Sequence, residues 1–117
     1  MTDIIITKVF DHDCDICNHM EKHDRATFES FKEISYRRVS LDEVINPQDT
    51  ARPLTNRAIY QCLERHCLNP DYSIDLPAYI ALNKKSEYLG HIQGANTIVE
   101  LREWVKSLSP TTDNSSE

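Results

Sequence analysis

Ile4-Ile5-Ile6-Thr7-Lys8-Val9-Phe10, followed by Asp11-His12-Asp13-Cys14-Asp15-Ile16-Cys17, is the stretch that decides the fold. Its first seven residues are β-branched and apolar, long enough for one buried strand. Asp11-His12-Asp13 then breaks the run, and two cysteines separated by two residues follow. From Cys17 to about Ile34, the residues Met20, Phe28, Phe31 and Ile34 return at loose helical spacing among charges. That pattern predicts a helix whose first turn holds the cysteine pair. At a helix N-terminus, unpaired backbone N–H groups and the helix dipole favour a thiolate. A second cysteine one turn on can reach back to the first sulfur. Cys14 therefore reads as a nucleophile and Cys17 as a resolving thiol.

Outward from this unit, Tyr36–Leu41 alternates well enough for a second short strand. Asn46-Pro47 and Arg52-Pro53 mark a loop over 45–53. Leu54, Ala58, Ile59, Cys62 and Leu63 share one face of a helix that Asn69-Pro70 stops. A polar link, Asp71 to Asp75, leads to Leu76-Pro77. Ala78–Leu82 reads as a buried strand, Asn83-Lys84-Lys85-Ser86 as a turn, and Glu87–Ile92 as its hairpin partner. Gly94 ends the hairpin. Thr97 and Glu100 have capping-box spacing, and Ile98, Leu101, Val105 and Leu108 share a face of a last helix. After Pro110 the polar tail has nothing to bury, so residues 109–117 are expected to be disordered and residues 1–108 to form one domain. The order is β-α-β-α-β-β-α, an α/β protein with a four-stranded mixed sheet flanked by helices.

Composition narrows the function. The 117 residues suffice for one domain, with 39% hydrophobic and 27% charged side chains. Thirteen basic against nineteen acidic residues give a formal charge of −6. That disfavours nucleic acid, which is bound through clustered Lys and Arg, and an anionic membrane surface likewise. No apolar run approaches the roughly 18–20 residues of a membrane span. Met1-Thr2-Asp3 carries an acid where a secretory signal carries a cation, so a cytoplasmic location is expected. In a reducing compartment, paired cysteines point to catalysis, redox sensing or metal binding rather than to structural disulfides.

On three features the chain resembles the thioredoxin-like family over roughly residues 4–108. They are Cys14-Asp15-Ile16-Cys17 after the first strand, Leu76-Pro77 before the hairpin, and Gly94-Ala95 before the last helix. The resemblance implies a cis Leu76–Pro77 bond facing Cys14, with Asp15, Ile16, Leu76 and Pro77 touching the substrate. It implies thiol–disulfide exchange on disulfide-containing proteins or small thiols by a monomer that needs no bound cofactor. Electrons would come from a thioredoxin-reductase-type enzyme or from glutathione. The chain departs from the family's subgroups: Asp13 replaces the Trp of Trp-Cys-Gly-Pro-Cys, Asp15-Ile16 replaces Gly-Pro, and the Cys-Pro-Tyr-Cys of glutaredoxins is absent. Lys8 stands where thioredoxins bury an acid. Around Cys14, Asp11, Asp13 and Asp15 oppose a thiolate, whereas a protonated His12 and a nearby Lys8 favour one.

Two other readings stay open. One is a metal site built from His12, Cys14, Cys17, His19 and His23, or from Cys62, His66 and Cys67. Against the second group, Cys62 and Cys67 lie five apart in the expected helix, about 140° around its axis. Iron–sulfur spacing is not seen. The other is a thioredoxin-like scaffold without turnover. Cys62 reads as a small buried hydrophobe, Cys67 as an exposed spectator near a helix end, and Phe28 and Phe31 as core. His19, His23 and His66 read as solvated helix residues, His91 as a hairpin residue, and Trp104 as packing against the sheet edge.

Overall fold

The two faces of the first strand feed two separate cores, and this is why its sequence is apolar on both sides. The structure is a computed structural model that describes residues 4–45, 54–94 and 96–108. The loop over 45–53, Ala95 and the tail lie largely or wholly outside the described residues. In chain order come β1 (Ile4–Phe10), α1 (Asp15–Glu29), β2 (Ile34–Ser40) and α2 (Leu41–Ile45). Next is α3 (Leu54–Cys62), which continues as a π-helical turn over Leu63–Cys67. Then follow β3 (Ala78–Asn83), β4 (Tyr88–Gln93) and α4 (Ile98–Ser107). The strands lie in the order β2-β1-β3-β4. β1 runs parallel to β2, with Ile4 opposite Ile34, and antiparallel to β3, with Val9 opposite Ala78. The hairpin β3–β4 completes the mixed sheet.

Period-two alternation sorts the side chains. Val9, Ala78, Ile80 and Leu82 pack with Val44 of α2 and with Ile59 and Leu63. Ile4, Ile6, Tyr79 and Ala81 point the other way, onto Met20 and Phe28 of α1 and Leu101 and Val105 of α4. Phe31 and Trp104 are half-buried at the edge of this second core, where the Trp104 ring meets Phe28 edge-on at 6.4 Å. Helices thus cover both faces, as expected.

Three elements differ from the sequence reading. The first helix stops at Glu29, not Ile34, because Ser30 turns the chain: its hydroxyl donates to the Thr27 carbonyl at 2.6 Å. Ile34 instead opens β2. Leu41 leaves the strand to start α2, whose capping box was written in Ser40-Leu41-Asp42-Glu43. The Ser40 hydroxyl accepts the Glu43 N–H at 3.3 Å, and the Glu43 carboxylate accepts the Ser40 N–H at 3.0 Å. The Ser40 N–H, and the Ser40 hydroxyl that also donates to Glu43 Oε1 at 3.0 Å, hold the Glu43 carboxyl below its usual range. The third difference is the π turn. It closes i→i+5 hydrogen bonds, so residues five apart stack instead of diverging as they would in an α-helix. Cys67 is accordingly 3% exposed, not at the surface. The last helix has the expected box, Thr97 N–H to Glu100 Oε1 at 2.7 Å and Glu100 N–H to Thr97 Oγ1 at 3.1 Å.

Candidate active site

β1 delivers the cysteine pair to the start of α1. The Asp11 carbonyl accepts the Cys14 N–H at 3.0 Å, turning the chain so that Cys14 becomes the N-cap of α1. Its sulfur takes the place that a Ser or Asp oxygen takes in an ordinary cap and accepts the Cys17 N–H at 3.1 Å. A negative charge on that sulfur would be held by this N–H and by the helix dipole. Cys14 and Cys17 are joined in a disulfide, their Cα atoms 5.3 Å apart. Access is unequal: Cys17 is fully buried, whereas Cys14 is partly exposed. An incoming sulfur can reach only Cys14.

The remaining predicted site residues divide between two concavities. Asp15 and Ile16 are exposed, Ile16 by 50%, and border a shallow depression of about 420 Å³ with His19 and Met20. Leu76 lines a separate groove that Asp11 also borders. The Leu76–Pro77 peptide is cis, and Pro77 is buried. The register pairing Val9 with Ala78 carries Pro77 to the end of β1, and the Pro77 carbonyl accepts the Gly94 N–H at 2.9 Å. Gly94 makes that bond at φ +84°, where a side chain would be strained.

Behind Cys17 lies a charged cluster that the sequence reading missed. Lys8 is fully buried in the middle of β1. Its ammonium donates to the Cys17 carbonyl at 2.6 Å and pairs with Asp24 at 2.6 Å and Glu21 at 3.1 Å. Three acceptors thus take its three protons. Asp24 is also fully buried and accepts the Tyr79 hydroxyl at 2.7 Å. Glu21 accepts Tyr36 at 2.9 Å and pairs with Arg38 and Arg25. Burial, then the bond to Asp24, pushes the Tyr79 phenol up, so it stays a donor. Burial and the bond to Glu21 do the same for Tyr36. Lys8 therefore ties the first turns of α1 to the sheet through the backbone of Cys17, not through its sulfur. A signal was available. Cys17, Glu21, Asp24 and Phe28 lie at i, i+4, i+7 and i+11, so two acids sit on the apolar face of α1.

The other two cysteines are free and buried. Burial, with Cys62 adding to it, pushes the Cys67 thiol up to about 11, and burial raises Cys62 as well. Beside them the His66 ring stacks on Tyr88 at 4.0 Å, and the Tyr88 hydroxyl meets His91 Nδ1 at 2.7 Å. Burial and then His66 hold His91 below its usual pKa. Among the described residues, no three His, Cys, Asp or Glu side chains converge as a metal ion requires. Thiol reactivity follows the thiolate. With the protein reduced and folded at neutral pH, iodoacetamide is therefore expected to label Cys14 at least about 100-fold faster than Cys62 or Cys67. Time-resolved peptide mapping reads the rates; comparable labelling of Cys67 would contradict its burial.

A strand–helix junction carrying a Cys-x-x-Cys disulfide, on a four-stranded mixed sheet covered on both faces, is an arrangement of the thioredoxin fold. Solved structures agree. Fasciola hepatica thioredoxin is similar over 89% of this chain and 79% of its own, at 16% identity and a TM-score of 0.59. Mitochondrial thioredoxin 3 from Saccharomyces cerevisiae, in its oxidized form, is similar over 92% and 81%, at 18% identity and a TM-score of 0.60. Reduced Schistosoma mansoni thioredoxin matches over 92% and 81%, at 16% identity and a TM-score of 0.60. No protein-family model and no curated protein matches the sequence. The chain has the thioredoxin fold. Among the described residues, no helix is long and apolar enough to cross a membrane.

Proposed function

We propose that the protein is a thiol–disulfide oxidoreductase working through Cys14 and Cys17. The observation that carries this reading is the asymmetry of the pair, an accessible N-cap sulfur joined to a fully buried one. Starting from the dithiol, the Cys14 thiolate attacks one sulfur of a substrate disulfide. A Cys14–substrate disulfide forms, and the other substrate sulfur leaves as a thiolate that takes up a proton. Cys17 loses its proton and attacks Cys14. The Cys14–Cys17 disulfide closes, and the second substrate thiol is released. Two electrons and two protons pass from protein to substrate, and a dithiol reductase or glutathione returns them.

Asp15, Ile16, Leu76 and Pro77 would contact the substrate, with the cis proline across from Cys14. The likeness to thioredoxins supports redox partners in general. The expected setting is cytoplasmic and the expected unit a monomer over residues 1–108. The test is mixed-disulfide trapping: Cys17→Ser should hold a substrate covalently, and Cys14→Ser should not.

A further inference from the structure

Beside the cysteine pair runs a groove of about 660 Å³ that opens between the end of β1, the start of α2 and the segment after the π turn. Its walls are apolar and aromatic, with Leu41, Tyr60, Leu68 and Leu76 among them. The charged residues described along it are Asp11 and Glu64, both acidic. It is continuous with the redox site, since Asp11 both borders the groove and accepts the Cys14 N–H, and Leu76 precedes the cis proline.

One wall is built at a conformational cost. Asn69-Pro70-Asp71-Tyr72 is a tight turn closed by the Tyr72 N–H on the Asn69 carbonyl at 2.9 Å. Leu68 and Ile74 bridge at its base. Proline in second place suits such a turn, and glycine suits the fourth. Here the fourth place holds a tyrosine at φ 68°, in the left-handed region that bulky residues avoid. Tyr72 is 83% exposed, so packing does not hold it there; hydrogen bonds among Asn69, Asp71 and Ser73 hold the turn around it. A strained, exposed aromatic lining a groove is a reason to look for a ligand.

Resting on the oxidoreductase reading, we infer that this groove binds an apolar, positively charged stretch of the polypeptide that carries the substrate disulfide. Leu41, Leu68 and Leu76 take the apolar side chains. Asp11 and Glu64 pair with lysine or arginine, and Tyr72 offers a ring face to the same cations. Asp13 and Asp15, exposed on either side of Cys14, and the formal charge of −6 favour the same partner. Glutathione, with two carboxylates against one ammonium, does not match.

The test separates recognition from chemistry. The full chain is titrated with a ten-residue peptide of leucines and two lysines that carries serine in place of cysteine. A counterpart with glutamate for lysine is titrated alongside, each followed by fluorescence anisotropy at low and high salt. An exposed charge pair changes affinity by up to about fivefold, so the lysine peptide is expected to bind more than tenfold tighter. Salt should shrink that gap. Tyr72→Gly and Glu64→Gln should each weaken the lysine peptide several-fold, and Tyr72→Gly should fold at least as well as the parent because it relieves the turn. Equal affinity for the two peptides, no saturable binding, or indifference to both variants would overturn the inference. In a second arm, the reduced protein is given the cystine forms of both peptides and glutathione disulfide. Fastest reduction of the lysine peptide supports the inference. Binding of the lysine peptide without its reduction leaves the groove standing and defeats the oxidoreductase reading; reduction of all three at one rate does the reverse.

Discussion

Cys17→Ser is expected to convert the protein from a turnover catalyst into a covalent trap. The reduced variant keeps the Cys14 thiolate at its N-cap, so attack on a disulfide still goes forward. Without the buried second thiol, the Cys14–substrate disulfide has no internal route to release, and nearly one substrate per protein should accumulate. Catalysed reduction should fall at least about 1,000-fold when an outside dithiol cannot resolve the adduct. Cys14→Ser should lose turnover to the same extent and trap nothing, because Cys17 is fully buried and offers no attacking sulfur. Non-reducing gels with mass mapping of the adduct read both variants. Equal trapping by the two, or by neither, would contradict the assignment of roles.

The second large effect lies behind the site. Lys8 and Asp24 are both 0% exposed and 2.6 Å apart. Removing one partner of a buried pair strands a charge and costs about 3–5 kcal/mol. A domain of this size is stable by roughly 5–15 kcal/mol, so Lys8→Met or Asp24→Leu alone should unfold a substantial fraction. Replacing both by apolar residues is expected to recover most of the loss, since buried pairs often contribute little over a hydrophobic pair. A deficit should remain, because the Cys17 carbonyl and Glu21 also lose the ammonium and the buried Tyr79 hydroxyl loses its acceptor. Urea unfolding of the two single variants and the double variant gives the coupling directly. Additive losses, or single losses below about 1 kcal/mol, would mean that the pair does not act as a buried unit.

Most of what positions the site could be read from the sequence, for physical reasons. The strand before the cysteines is apolar on both faces because helices cover the sheet on both sides, and the hairpin and last helix carry strong local signals in Asn83–Ser86 and Thr97/Glu100. What escaped obeys other rules. Lys8 stands out in the sequence only as a departure from the family; its partners Glu21 and Asp24 do not, because charged residues are ordinarily solvated, although their spacing puts both acids on the buried face of α1. The π turn cannot be seen from a 3.6-residue period, and it buries Cys67 where an α-helix would have turned it outward. Tyr72 sat in what read as a polar link; its strain depends on a backbone angle that composition does not report. That Asp15 and Ile16 border one concavity and Leu76 another depends on the tertiary fold and has no local signal.

The most direct test of thiol–disulfide chemistry is a redox titration of the metal-stripped protein in dithiol buffers, read by alkylation and peptide mass mapping. Cys14 and Cys17 should interconvert as a pair, at a potential within roughly −180 to −320 mV, while Cys62 and Cys67 stay reduced throughout. A pair that never closes, or that closes only with Cys62 or Cys67, would contradict catalysis by Cys14 and Cys17.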